Sequence, residues 1–352
     1  MKESRTITLG KREIGDGHKP FIVAEAGINH NGELKKALEM VVVAKQAGAD
    51  AIKFQTFKAD EMVGEPTQMF SYTSQGKTVT ESMLEMFRRY ELKPSDWAAI
   101  RTRCDAEGIV FFSTPQNPSD LEIVMQVGVP AIKVGSDDFV NLPLLQRYAK
   151  TKLPIILSCG MSNMGEVHEA LEAVGAFSGY PVALLVCTSQ YPTPPQDVNI
   201  LRVKTLRDAY PFLPIGFSDH TQDSIAAAMA VALGACLFEK HFTLDRNLPG
   251  PDHWFSEDPD SLKEYVHTIR TAYTMRGDGV VRPHSAAELE NKKEFRRFIV
   301  AARDIKESQL FAEEDFVMRR IKNGSGLPPK FVPILLGKQA RRDFHIGEVI
   351  EI

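Results

Sequence analysis

Between residues 21 and 241 the chain repeats one unit eight times: a short run of β-branched and apolar residues, usually followed by a stretch with apolar residues at helical spacing. The runs are "FIVAEAG" (21–27), "DAIKFQT" (50–56), "IVFFSTP" (109–115), "AIKVGS" (131–136), "PIILSCG" (154–160), "VALLVCT" (182–188), "PIGFSDH" (214–220) and "ACLFEKH" (235–241). All have strand length. Between them, "LKKALEMVVVAKQAG" (34–48) and "SDWAAIRTRCDAEG" (95–108) each end at a glycine, a common helix stop, and Ser95 is a candidate N-cap for the second. "NMGEVHEALEAVG" (163–175) and "HTQDSIAAAMAVALG" (220–234) follow the same scheme. Apolar strands alternating with helices predict a parallel sheet covered on both faces, and eight units predict closure into a (β/α)8, or TIM, barrel.

In such a barrel the chemistry stands where the strands end. Here those positions carry Glu25, Asn29 and His30; Lys53 and Gln55; Ser113 and Thr114; Lys133 and Ser136; Ser158; Thr188 and Tyr191; Ser218, Asp219 and His220; and Glu239, Lys240 and His241. Burying a polar group without a partner costs roughly 1–3 kcal/mol. A pattern of strands that start apolar and end polar therefore predicts a functional mouth. By strand alternation Glu239 and His241 face inward while Lys240 faces the helices.

At 352 residues the chain exceeds one barrel of about 250 residues. Residues 258–277 predict a last helix, and the polar stretch beyond it a linker. The boundaries predicted are a catalytic barrel over 1–280, a linker over 281–294 and a small β-rich module over 295–352, built from pieces such as "FIVAARDI", "FVMRRI" and "FVPILLGKQARRDF". The net charge of −4 lacks the basic excess that nucleic-acid or membrane-surface binding requires. The start "MKESRTITLG" has no apolar core of signal-peptide length, and the four cysteines form no CxxC pair, so the expectation is a cytoplasmic protein with reduced thiols. Asn323-Gly324-Ser325 matches a glycosylation acceptor but carries no functional weight in that setting.

His220 and His241 end neighbouring strands, which suits a divalent transition metal with open positions, or equally a hydrogen-bonded pair without metal. Lys53 and Lys133 lie inside apolar strands and need an anion; a phosphorylated or carboxylated substrate, a Schiff base with a carbonyl substrate, or a structural carboxylate would each meet that need. No GxxxxGK[ST] or GxGxxG loop follows a strand, which counts against nucleotide binding.

Four stretches, "FIVAEAGINHNGELKKALEMVVVAKQAGADAIKFQT", "CTSQYPTPPQDVN", "IGFSDHT" and "EKHFTLDRNLPGPDH", resemble the sialic acid synthases, a family of N-acetylneuraminate, legionaminate and pseudaminate synthases. "FIVAARDIKESQLFAEEDF" and "LLGKQARRDFHIGEVI" resemble its C-terminal antifreeze-like, or SAF, domain. The resemblance implies condensation of phosphoenolpyruvate with an N-acylated mannosamine-type sugar to a nine-carbon 2-keto acid and phosphate. It implies a divalent metal, Mn2+ first with Mg2+ or Co2+ as substitutes, and a domain-swapped homodimer. It assigns the metal to His220 and His241, a catalytic role to these two and Glu25, and substrate contacts to Lys53, Gln55, Thr114, Lys133, Ser136, Ser158, Ser189, Tyr191, Ser218 and Asp252, with Arg320 or its neighbour Arg319 capping a partner's site. N-acetylneuraminate synthesis is the first expectation. The alternatives are a legionaminate or pseudaminate synthase taking a 2,4-diacetamido-2,4,6-trideoxyhexose, a Schiff-base aldolase using Lys133 or Lys53, and a non-catalytic carbohydrate-binding protein.

Overall fold

The computed structural model describes residues 6–321 and 325–351, so Asn323 and Gly324 of the glycosylation tripeptide lie outside the described residues. The chain divides into two compact units, Met1–Gly277 and Asp278–Ile352.

The first unit opens with an antiparallel hairpin of β1 (Thr6–Leu9) and β2 (Arg12–Gly15). Then come β3 (Phe21–Gly27) and β4 (Ala51–Thr56), a second hairpin of β5 (Met69–Ser74) and β6 (Lys77–Ser82), and β7 (Val110–Pro115). The strands β8 (Ile132–Val134), β9 (Ile155–Ser158), β10 (Val182–Cys187), β11 (Ile215–Asp219) and β12 (Leu237–His241) complete the set. β3, β4 and β7–β12 close into one parallel barrel, with β12 paired to β3 at the seam. All eight predicted strands are in it.

Alternation along the strands sorts the interior. Ile155, Leu157, Val182, Leu184, Val186, Ile215 and Phe217 pack in one apolar cluster with the helices from Leu142 to Ala232, while their neighbours Ile156, Ala183 and Leu185 pack in another with Phe21, Val23, Ala51 and Phe112. That second set fills the barrel beneath the polar strand ends. The opposite end is tied by Asp50. Its Oδ2 accepts from the Ile22 amide at 2.8 Å and from Arg270 of the helix Pro259–Arg276 at 2.6 Å, and its Oδ1 pairs with Arg12 of β2. One carboxylate thus joins the first hairpin, the first barrel strand and the last helix.

Local chemistry moved some boundaries. The second long helix is Pro94–Glu107 with Lys93 at its N-cap, because Pro94 takes the first helical position in place of the predicted cap Ser95. The helix expected from 220 starts at Ile225, since Asp219 Oδ1 accepts from the Thr221 amide and hydroxyl and folds residues 219–221 into a turn. The hairpin β5–β6 was not foreseen; apart from buried Ser74 its residues are exposed or half-buried, and they offer no apolar run.

In the second unit β13 (Arg297–Ala301) and β14 (Phe316–Arg320) pair antiparallel over a small core of Ile299, Ala301, Ile305, Phe311, Leu335, Ala340, Phe344 and Ile350. The remaining pairing is by isolated bridges such as Ile305 with Phe344. The run expected as strand around "FVPILL" instead forms a short helix, Val332–Leu335, because Pro333 has no ladder donor and suits a helix start. The predicted linker contains the helix Ala286–Phe295, with no buried residue.

At Gly216 the interior leaves no room for a side chain: a Cβ there would meet the Leu237 carbonyl and the Leu185 side chain. Gly216→Ala should lower unfolding free energy by roughly 1–3 kcal/mol. Denaturant melts would show it as a lower midpoint with an unchanged slope.

Candidate active site

The polar strand ends converge on one cavity of about 420 Å³, within the range that holds a small-molecule ligand. Glu25, Lys53, Gln55, Thr114, Lys133, Ser136, Ser158, Ser189, Tyr191, Ser218, His220, His241 and Asp252 all line it. Arg320 belongs to the second unit, at the end of β14. The sheet register explains the convergence. His241 lies opposite Glu25, Glu25 opposite Lys53, and Gln55 opposite Thr114. Just past Glu25 the register slips by one residue, so Gly27 rather than Ala26 pairs with Phe54, and Gly27 takes a φ of +51°.

The floor is ionic. Lys53 Nζ is 2.8 Å from Glu25 Oε1 and 3.9 Å from Glu239 Oε1, and it donates to Thr114 Oγ1 at 3.0 Å. Lys133 Nζ donates to Ser158 Oγ at 2.7 Å and to the Val134 carbonyl at 2.8 Å, with Glu239 Oε1 at 3.7 Å. Ser218 donates to Glu239 at 3.3 Å and Gln55 to Glu25 at 3.2 Å. Two lysines and two glutamates therefore share one nearly dry space. Burial opposes every charge there, and the balance differs by residue. For Glu239, Lys133 and Lys53 outweigh burial and keep the carboxyl below its usual range; for Lys53, Glu239 and Glu25 outweigh burial and raise the ammonium above its usual value. At Glu25 burial prevails over Lys53 and raises the carboxyl, and at Lys133 burial lowers the ammonium. Glu25 Oε2 and Glu239 Oε2 are buried without a hydrogen-bond partner. Glu239, to which the resemblance assigns no role, faces the cavity as strand alternation predicts.

Beside this floor Gly160 makes room for hydroxyls. A Cβ there would collide with Ser136 Oγ and Ser189 Oγ, and the Gly160 amide donates to Ser136 at 3.0 Å. Ser189 Oγ is buried and unpaired. Hydroxyls and two ammonium groups facing one cavity form a cradle for a small dianion.

His220 and His241 stand with ring centroids 5.5 Å apart. His220 Nδ1 lies 2.7 Å from the Thr188 carbonyl, so Nδ1 carries the hydrogen and Nε2 keeps its lone pair. His241 Nδ1 has no hydrogen-bond partner and is 3.9 Å from Asp252 Oδ2. Burial, then His220, hold His241 well below the ordinary imidazole value, and burial pushes Asp252 up to about 7. Among the described residues no three His, Cys, Asp or Glu side chains are grouped to enclose a metal ion. Burial opposes charge on His220, yet Cys187 beside it raises that imidazole above its ordinary value; the two imidazoles with a carboxylate nearby form a set that fits a divalent cation whose other positions are open. Tyr191 lies on His220 at 4.2 Å between centroids, and Phe255 braces both Tyr191 and His241 at 5.3 Å.

One wall is apolar: Ile28, Met62, Phe70, Met86 and Phe87 line it, with Phe70 on the unforeseen hairpin. Asp137, Gln116 and Cys187 also line the cavity without having been expected there. Ser113 turns away and donates to the Phe54 carbonyl at 2.9 Å. His30 and His253, in the loops that follow β3 and β12, are supports rather than lining groups. His30 is fully buried with its ring near Phe54, and His253 is held between Thr243 Oγ1 at 2.7 Å and Asn31 Oδ1 at 2.9 Å.

The chain matches the NeuB family over residues 40–281 and the SAF domain over residues 296–351. It is 37% identical to the N,N'-diacetyllegionaminic acid synthase of Legionella pneumophila, across 99% of this chain and 98% of that one. Among solved structures it is similar to the N-acetylneuraminic acid synthetase of Leptospira borgpetersenii, with a TM-score of 0.74 and 34% identity over 82% of this chain and 95% of that chain. It is similar also to the spore coat polysaccharide biosynthesis protein spsE of Bacillus subtilis, with a TM-score of 0.69 and 31% identity over 98% of both chains. Among the described residues no helix is long and apolar enough to cross a membrane.

Burial lowers the His253 imidazole to about 4. The unfolded chain, with an ordinary value near 6.5, takes up a proton that the native fold refuses, so stability falls as pH drops from about 6.5 towards 4. His253→Gln should remove roughly 2 kcal/mol of the loss seen between pH 7.5 and pH 5. Paired urea melts of both proteins at the two pH values read the difference.

Proposed function

The chain belongs to the NeuB family, and on that premise we propose that it condenses phosphoenolpyruvate with an N-acylated amino sugar, forming a nonulosonic (sialic-type) acid and releasing phosphate. The observation that carries the reading is the union, in one cavity, of a lysine- and hydroxyl-lined anion cradle with two imidazole donors facing each other.

In this reading Lys53, Lys133, Thr114, Ser136, Ser158 and Ser218 hold the phosphate and carboxylate of phosphoenolpyruvate. Their fixed dipoles and charges stabilise the enol ester as electron density leaves C3 for the sugar aldehyde. A divalent cation held by His220 and His241, Mn2+ by family resemblance, supplies Lewis-acid polarisation of that aldehyde when bound. Water then adds at C2, and its proton passes to Glu25 Oε2, the unpaired oxygen of a carboxyl whose affinity for a proton burial has raised. That proton offsets the one taken up by the alkoxide on the former aldehyde carbon, and collapse of the C2 adduct breaks the C–O bond to phosphate, which leaves with the C2 hydroxyl proton and gives a 2-keto acid. Tyr191, Ser189 and Asp252 face the sugar. The same reading assigns Arg320 to the mouth of a second copy in a domain-swapped homodimer.

For the acceptor, the apolar wall favours the trideoxy diacetamido hexose over N-acetylmannosamine, reversing the order expected from sequence. Ile28, Met62, Phe70, Met86 and Phe87 offer nothing to a C6 hydroxyl or phosphate, whereas a 6-methyl group and a 4-acetamido methyl would leave water against them. Among the described residues the lysine and arginine side chains lining the cavity, Lys53 and Lys133, are at the floor.

Phosphate release from phosphoenolpyruvate, measured with a panel of these sugars with and without Mn2+, tests both levels. A kcat/KM at least about tenfold higher for the 6-deoxy diacetamido sugar is expected, the scale of one methyl-sized contact in an apolar pocket. Absence of release with every sugar in the presence of metal would refute the synthase reading. His241→Ala should abolish turnover while leaving the thermal midpoint within a few degrees. Borohydride with pyruvate should trap no lysine adduct; trapping at Lys133 would favour the aldolase instead.

A further inference from the structure

Lys240 lies between the two histidine-bearing strand ends and points away from the cavity. It is 2% exposed, and its ammonium is surrounded on the helix side of the barrel. Nζ donates to the Thr221 carbonyl, stands 3.5 Å from Asp219 Oδ2 and 3.6 Å from Glu257 Oε1, and sits 5.2 Å from the centre of the buried Tyr265 ring. Asp219 and Glu257 are 0% and 4% exposed.

Each partner of Lys240 is coupled to one of the two histidines. Asp219 and Thr221 flank His220, and Asp219 Oδ1 accepts from the Thr221 amide at 2.8 Å, fixing the turn on which His220 stands. His220 itself lies past the last β11–β12 ladder pair, Asp219 with Lys240, so the sheet no longer holds it there. Glu257 is bound to the other histidine through the backbone: its amide donates to the His241 carbonyl at 2.8 Å, and its second carboxylate oxygen takes Arg246 at 2.7 Å. One ammonium therefore joins the turn carrying His220 to the segment clamped on His241. A buried lysine between two carboxylates is a poor choice for stability alone, since apolar replacements of such groups are often neutral or better.

We propose that Lys240 is a positioning residue that fixes the spacing of His220 and His241, and through it the affinity of the pair for a divalent cation. The inference rests on the metal reading above and concerns a group that touches neither substrate nor metal. Outer contacts of this kind typically change metal affinity by about 10- to 100-fold when removed.

The test titrates the metal-stripped full chain with Mn2+, reading free Mn2+ by electron paramagnetic resonance, with thermal midpoints recorded in parallel. Lys240→Met should weaken binding by about 10- to 100-fold. Because that change strands Asp219 as a buried unpaired charge, the decisive variant is Lys240→Met with Asp219→Asn, which keeps the Thr221 turn acceptor and the Glu257–Arg246 pair. It should recover much of the thermal midpoint but not the affinity. Lys240→Arg, which can bridge the same carboxylates, should recover most of the affinity. Wild-type affinity in the double variant, or a midpoint loss in Lys240→Met with unchanged affinity, would overturn the proposal. Failure of the wild-type chain itself to bind Mn2+ would instead sink the metal reading on which it stands.

Discussion

Two buried ammonium groups and two buried carboxylates in one barrel mouth set the terms for everything around them. Lys53, Lys133, Glu25 and Glu239 can be desolvated only because each meets an opposite charge or a hydroxyl within a few ångströms. That requirement fixes the register of β3, β4, β8, β9, β11 and β12 together, since a one-residue slip would turn any of these groups into the apolar layer outside. It also leaves single oxygens of Glu25 and Glu239 without partners. A site that balanced its charges completely would have little left to offer a substrate; this one keeps unpaired acceptors and a crowd of hydroxyls in reserve.

Much of this was readable from the chain itself. The barrel followed from eight apolar runs whose last residues were polar, and thirteen residues expected from the strand ends and the family resemblance line one cavity. Parallel strands buried on both faces write a strong signal because nearly every position in them is apolar until the end. What escaped had weaker local signals. The β5–β6 hairpin is half-exposed and mixed in polarity, so neither period stands out, yet it delivers Phe70 to the cavity wall. His30 and His253 lie in loops beyond strand ends, and a sequence does not say whether such a loop folds over itself; here both are buried supports. The short helix at Val332–Leu335 was hidden by an apolar composition that suits a strand as well as a helix, with Pro333 the one residue that decides.

The histidine pair illustrates the same division between pattern and context. Adjacent strand ends place two imidazoles together, but their chemistry depends on contacts remote in sequence. The Thr188 carbonyl selects the tautomer of His220, and Phe255 and Tyr191 hold the rings from the side. Outside the barrel wall, Lys240 ties the segments that carry them. The pair is thus specified by at least as many residues that never face the cavity as by residues that do.

Asp50 gives the molecule a different kind of freedom. By joining β2, β3 and the last helix at the end of the barrel opposite the cavity, it confines closure to a face where no substrate need ever bind. Loops and hairpins at the mouth can then lengthen, shorten or exchange side chains without loosening the seam. A chain built on this plan can reshape the apolar wall of its cavity by rewriting the β5–β6 insertion while keeping its floor of lysines and hydroxyls intact, so the two sides of the cavity are free to evolve at separate rates.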